Sequence, residues 1–198
     1  MKYPHFFDTI ESIELIDPLA DFLGAFEDGV VTFNYLDIVK SAGHSCPTVA
    51  GAYLMTLYAL KALYKDELPK RGQIKVAFKE EAHEGATGVV ANVITHITGA
   101  AGVQGFKGIG GRFARENLLS FNADISAEVS FTRTDTNASF KLSYDASAIA
   151  IDPRQKELMA KVLKSQAKQE EINLFKTLWQ KRVEEIFKKS DDAITIKG

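Results

Sequence analysis

The run Gly43-His44-Ser45-Cys46-Pro47 contains the only cysteine of the chain and is the part of the sequence best suited to chemistry. A long apolar segment follows Pro47, and proline is favoured at the first position of a helix. Cys46 is therefore predicted to cap that helix, with its sulfur near the free N–H groups and the positive end of the helix dipole. Both features favour the thiolate over the thiol.

His44 lies two residues from Cys46, so its imidazole can reach the same space. A thiolate and an imidazole can bind a transition metal, or act as a nucleophile and its base. His83 is favoured over His96 as a third ligand because it follows the predicted strand 74–78 in a loop, where binding residues concentrate. The set Cys46, His44 and His83 predicts a site for zinc, or for nickel or iron, with one open position that can activate water.

A glycine-rich segment, residues 99–111, precedes Arg112 and Arg115. It follows a predicted helix rather than a strand, and it lacks the GK[ST] ending of a phosphate-binding loop. A surface loop is therefore favoured over a nucleotide site. Arg112 and Arg115 are nevertheless candidates for binding a small anionic ligand.

The composition excludes several classes of protein. The 198 residues include 24 basic and 26 acidic ones, so no basic excess points to nucleic acid. The start of the sequence has no apolar run typical of a signal peptide. The long uncharged stretch at residues 42–60 contains Pro47, and its helical part after Pro47 is too short to span a bilayer. We therefore expect a soluble, cytoplasmic protein with no nucleic-acid or membrane partner.

Hydrophobic periodicity predicts most of the elements that must position these residues. The segment 47–64 is apolar on nearly every face and is predicted to be a buried central helix. Further elements are predicted as strands at 13–16, 30–33 and 74–78, as helices at 35–41 and 86–98, and as an antiparallel meander of 118–121, 125–134 and 139–144.

The tail from Pro153 to about Lys189 has apolar residues that mostly step by three or four, which predicts helix throughout. A polar gap at residues 165–171 interrupts this stripe. Two alternatives remain open: two helices with a break at the gap, or one long helix that crosses to a second subunit and buries Trp179 and Phe187 there. We expect a homodimer.

The turn at residues 43–47 and the small-residue helix after it resemble the FmdE family, which is named after formylmethanofuran dehydrogenase. Members of that family typically have a HGHxCPG turn that opens a helix, and then a TGC turn and a GKGN segment. Here Thr98-Gly99 matches the TG, and residues 115–118 stand where the GKGN segment would fall. Ala42 and Ala100 replace a histidine and a cysteine of the family pattern.

The resemblance implies an α+β fold in which an antiparallel sheet packs on the central helix, commonly in a dimer. It also implies a metal-binding cleft, and His44 and Cys46 match its positions, whereas His83 has no counterpart. We expect a core domain at residues 1–150 and a long C-terminal helical extension at residues 151–198, used for dimerisation. The leading hypothesis is an FmdE-like metal-binding protein.

Two other hypotheses remain open. The chain can be a metal-free thiol enzyme, with Cys46 as nucleophile and His44 as base. Alternatively, it is a non-catalytic accessory subunit of a molybdenum or tungsten redox enzyme. The sequence does not say whether the protein turns over a substrate.

Overall fold

The computed structural model describes residues 1–197, and most elements lie close to their predicted bounds. The strands are β1 (Ile13–Ile16), β2 (Val30–Phe33), β3 (Ile74–Phe78), β4 (Leu119–Ser120), β5 (Val129–Arg133), β6 (Ser139–Tyr144) and β7 (Ile194–Lys197). The helices are α1 (Pro18–Phe22), α2 (Tyr35–Ala42), α3 (Pro47–Tyr64), α4 (Thr87–Thr98), α5 (Arg154–Leu163), α6 (Gln169–Lys188) and α7 (Ser190–Ala193).

The helix α3 is the buried centre of the fold, as predicted. Every residue from Val49 to Leu57 is buried, so this helix presents apolar surface on all sides. It packs against α2, α4, α6 and the strand β6. The α+β class, with a sheet packed on a central helix and a helical C-terminal part, is confirmed.

A five-stranded sheet has the order β4-β3-β5-β6-β7, and β1 pairs with β2 in a separate two-stranded sheet. The strand β3 buries Ile74, Val76 and Phe78, which alternate along it as a strand with one face on the core requires. It runs antiparallel to β5, and β5 forms a hairpin with β6.

The predicted meander is wrong at its first strand. Leu119 pairs with Val76 in a parallel register, so β4 lies beside β3 rather than beside β5. The reason is that β3 occupies the position between β4 and β5, with its alternate side chains in the core. Residues 125–128, which were predicted as strand, precede β5.

The tail contains two helices, α5 and α6, separated at residues 164–168, which confirms the predicted break. The backbone of Ser165 has a φ of 57°, outside the helical region. After α6 the chain returns to the sheet, where Ile196 in β7 pairs with Leu142 in β6. This last strand was not predicted. A domain boundary at residue 150 stays a prediction.

Within residues 1–197, none of the helices combines the length and the apolar character needed to cross a membrane.

Asp17 joins three parts of the chain that are distant in sequence. It is buried and caps α1 through bonds from the N–H groups of Leu19 and Ala20. Its carboxylate also accepts hydrogen bonds from Arg71, at 2.8 Å, and from Arg115, at 2.6 Å. Burial alone raises the pKa of Asp17, but the bonds from Arg115 and Arg71 outweigh burial and hold the pKa below its ordinary value.

Replacing Asp17 with asparagine, Asp17→Asn, should lower the free energy of unfolding by about 3–5 kcal/mol at pH 7, because two largely buried arginines lose their counter-charge. Since folding lowers the pKa of Asp17, its contribution is complete above the unfolded pKa of about 3.9 and is lost as the pH falls through the lower folded value. Urea unfolding of wild type and Asp17→Asn at about pH 7 and about pH 2.5 measures the loss of stability at each pH.

The control is Asp21→Asn, an exposed carboxylate on the same helix, which should change stability by less than about 0.5 kcal/mol. An equal loss for Asp17→Asn at both pH values would contradict the role given to the charge of Asp17.

Candidate functional site

The turn between α2 and α3 positions the candidate residues. The helix α2 begins with a capping box formed by Asn34 and Asp37 and ends at Gly43. Gly43 has a φ of 77°, in the left-handed region that favours glycine after a helix. Cys46 caps α3 and Pro47 is its first residue, so both predictions for this turn are confirmed.

The sulfur of Cys46 faces the first turn of α3. Its Sγ atom accepts from the backbone N–H of Val49 at 3.5 Å, within the range of a sulfur hydrogen bond. The side chain is partly exposed. The thiol therefore lies at the mouth of the helix, in contact with one of its free N–H groups and also accessible from outside.

His44 is exposed, and one of its two ring nitrogens is already engaged. Its Nδ1 atom lies 3.0 Å from the carbonyl oxygen of Ala42. A carbonyl only accepts hydrogen bonds, so Nδ1 carries the proton in the neutral ring. The lone pair is then on Nε2, which is free to bind a metal or to accept a proton.

Ser45, which lies between His44 and Cys46, forms hydrogen bonds to both α2 and α6. Its hydroxyl lies 3.0 Å from the hydroxyl of Tyr35 in α2. Its carbonyl accepts from Trp179 Nε1 at 3.0 Å and from Gln180 Nε2 at 3.2 Å, both in α6. The turn is thus fixed by α6 of its own chain.

The sequence hypothesis that Trp179 and Phe187 face a second subunit differs from what the structure shows. Trp179 bonds to Ser45, and the ring of Phe187 lies 4.7 Å from Tyr35 and 6.2 Å from Tyr53 within the same chain. Both aromatic residues therefore help to build the site. The homodimer itself stays a prediction.

Two tyrosines lie near the thiol. Tyr144, from β6, donates to the carbonyl of Pro47 at 2.8 Å, and its ring lies where a side chain on Gly51 would be. Burial is the main reason that the pKa values of Tyr35 and Tyr144 are raised, and the negative charge of a Cys46 thiolate raises them further. Both phenols therefore keep their protons at neutral pH. Sequence reasoning missed both, since nothing local links them to Cys46.

The two candidates for a third ligand, His83 and His96, lie in different surroundings. His83 is exposed in the loop before α4. His96 lines a cavity of about 180 Å³ together with His44, and its Nδ1 lies 3.3 Å from the hydroxyl of Ser41. Burial, and secondarily the charge of Arg71, lowers the pKa of His96, so the ring is neutral at pH 7.

Cysteine and histidine are suitable ligands for a transition metal, but the described part of the chain brings too few of them together to form a complete site. Across residues 1–197, no group of three His, Cys, Asp or Glu side chains is arranged to hold a metal ion. The structure therefore places Cys46 and His44 on one turn without bringing His83 to them. The three-residue set stays a prediction.

The two arginines predicted to bind an anion have other partners. Arg115 is bonded to Asp17, and its guanidinium lies where a side chain on Gly99 would be. Arg112 is exposed and stacks on the ring of Phe113 at 4.6 Å. No hydrogen bond within the described chain, residues 1–197, joins either arginine to the turn that carries Cys46. Their role in binding an anion also stays a prediction.

Comparison with known families gives one match. The model described as "FmdE, Molybdenum formylmethanofuran dehydrogenase operon" matches residues 42–196. The matched segment begins just before the turn with His44 and Cys46 and extends into β7. No curated protein matches this chain.

The substitution Trp179→Phe removes the indole N–H but keeps an aromatic ring. We expect a stability loss of about 1 kcal/mol, because Ser45 loses one of its two donors. Alkylation of Cys46 by iodoacetamide should become faster, by up to about fivefold, since a more mobile turn exposes the sulfur more often. Thermal unfolding and timed mass spectrometry measure the two effects.

The matched control is Thr177→Ala, because Thr177 is exposed on the same helix and bonds only to Asn173 of that helix. Equal alkylation rates in wild type and Trp179→Phe would show that the indole of Trp179 does not hold the turn.

Proposed function

Because the chain belongs to the FmdE family, we propose that it binds one transition metal at the turn between α2 and α3, through Cys46 and His44. One observation supports this most directly. A helix-capping sulfur and an imidazole whose Nε2 is free lie two residues apart on a turn fixed at Ser45. Fixed donors lose less conformational freedom on binding a metal than mobile ones do.

Zinc is the metal that this mixture of donors favours, and nickel and iron accept the same ligands. His83 is the proposed third donor from the sequence, and His96, which shares a cavity with His44, is its rival. The remaining coordination position would be open to a small anionic ligand or to water. In this proposal the chain supplies the thiolate and the imidazole, with two protonated tyrosines nearby.

A second proposal is a metal-free thiol enzyme, favoured by the contact between Cys46 Sγ and the N–H of Val49. In this proposal Cys46 is the nucleophile and His44 Nε2 takes its proton. The family description, which names the operon of a molybdenum enzyme, also supports an accessory role beside such an enzyme. Such a role is compatible with metal binding. A tungsten enzyme as the partner and a cytoplasmic location stay predictions.

Elemental analysis of the untagged protein tests the metal. We expect about one metal ion per chain in the wild type and a loss of most of it in Cys46→Ala and in His44→Ala, because each removes one of two fixed ligands. His5→Ala is the control, since the His5 side chain is exposed and its Nδ1 atom lies 3.5 Å from the Asp8 carboxylate. Full metal content in Cys46→Ala would contradict the ligand assignment.

Comparing His83→Ala with His96→Ala identifies the third donor, because only the variant that removes a ligand should lower metal affinity, by about 10- to 100-fold.

Alkylation of Cys46 with and without a chelator distinguishes the metal-binding protein from the metal-free thiol enzyme. A bound metal shields the sulfur, so chelation should speed the reaction. If the protein contains no metal and the chelator does not change the alkylation rate of Cys46, the thiol enzyme is favoured.

A further inference from the structure

A second cavity adjoins the turn on the side away from α4. It has a volume of about 720 Å³ and lies between the first residues of the chain, α2 and α6. Cavities of this size are typical of sites for small organic ligands. Its walls are largely apolar, and they include Phe7, Leu36, Phe175 and Trp179.

The aromatic side of this cavity is continuous along α6. The rings of Phe175 and Trp179, one helical turn apart, have centroids 5.7 Å from each other. At the start of the chain, the exposed ring of Tyr3 stacks on the buried ring of Phe7 at 5.9 Å, and Tyr3 also lines the cavity. A flat apolar group can therefore contact aromatic rings from both segments.

The charged residues that line the cavity all have one sign. Lys2, Lys40 and Lys176 line it, and no aspartate or glutamate does. Lys40 has an ion pair with Asp37 at 3.2 Å, whereas Lys2 and Lys176 have none within residues 1–197. Uncompensated lysines at the edge of an apolar cavity attract anions.

The cavity also reaches the proposed site. His44 and Ser45 line it, and the indole of Trp179 forms its wall while donating to Ser45. A ligand in the cavity would therefore lie beside the imidazole of His44.

We propose that this cavity binds an amphiphilic organic anion, an aromatic or similarly flat apolar group that carries a carboxylate or a related acid. The apolar group contacts Trp179 and Tyr3, and the anionic group lies near the lysines. The inference names the ligand class of the site proposed above and, in placing the ligand at His44, rests on that proposed function.

The test uses 2-naphthoate as the anionic probe and 2-naphthamide as its neutral isostere. Trp179 is the only tryptophan of the chain, so its emission reports directly on the cavity wall, and calorimetry gives the affinity. We expect 2-naphthoate to bind about tenfold or more tightly than 2-naphthamide and to change the emission of Trp179. Tight binding should weaken as salt is added.

Lys176→Ala and Lys2→Ala should each weaken 2-naphthoate binding by about three- to fivefold, the range expected for an exposed charge pair, and should leave 2-naphthamide unaffected. Lys156→Ala, an exposed lysine on α5 outside the cavity, is the matched control and should bind like the wild type. Equal affinity for the two probes, or wild-type affinity in Lys176→Ala and Lys2→Ala, would overturn the proposal.

Cys46→Ala separates this inference from the metal proposal, because Cys46 does not line the cavity. Retained 2-naphthoate binding in Cys46→Ala supports the cavity whatever its metal content. A wild-type protein that holds metal but does not bind 2-naphthoate would overturn the ligand class alone, and one that binds 2-naphthoate without holding metal would contradict the metal site alone.

Discussion

The fold depends on the burial of one helix. The helix α3 is apolar on all sides, and leaving any side in water would cost about 25 cal/mol per Å² of exposed apolar surface. The helices α2, α4 and α6 and the strand β6 therefore surround it. Its N-terminus reaches the surface, so Cys46 lies where a buried element meets solvent. The position of the thiol follows from this enclosure.

Because other elements surround α3, segments that are distant in sequence come into contact at the candidate site. Ser45 is held by Tyr35 from α2 and by Trp179 from α6, while Tyr144 reaches Pro47 from the sheet. Each bond fixes backbone or side-chain atoms next to the thiol. A turn held in this way keeps its geometry without a bound ligand, which reduces the entropy lost when one binds.

One position of the FmdE pattern has a packing role in this structure. Gly99 fits the TG dipeptide, and here it leaves room for the guanidinium of Arg115, which is bonded to Asp17. Ala100, which stands in place of the family's cysteine, is fully buried and supplies no donor. The chain thus keeps the TG dipeptide, whereas Ala42 and Ala100 replace a histidine and a cysteine of the family pattern.

The sequence determined the elements and the turn. The bounds of α3, its capping by Cys46 and the end of α2 at Gly43 were predicted because proline, glycine and apolar periodicity act over a few residues. Only the tertiary structure decided the pairing of β4 with β3, the partner of Arg115, and the contact of Trp179 with Ser45. Each of these contacts joins segments about 40 to 130 residues apart, which come together only when the chain packs around α3. Local sequence patterns extend over a few residues and do not predict contacts over such distances.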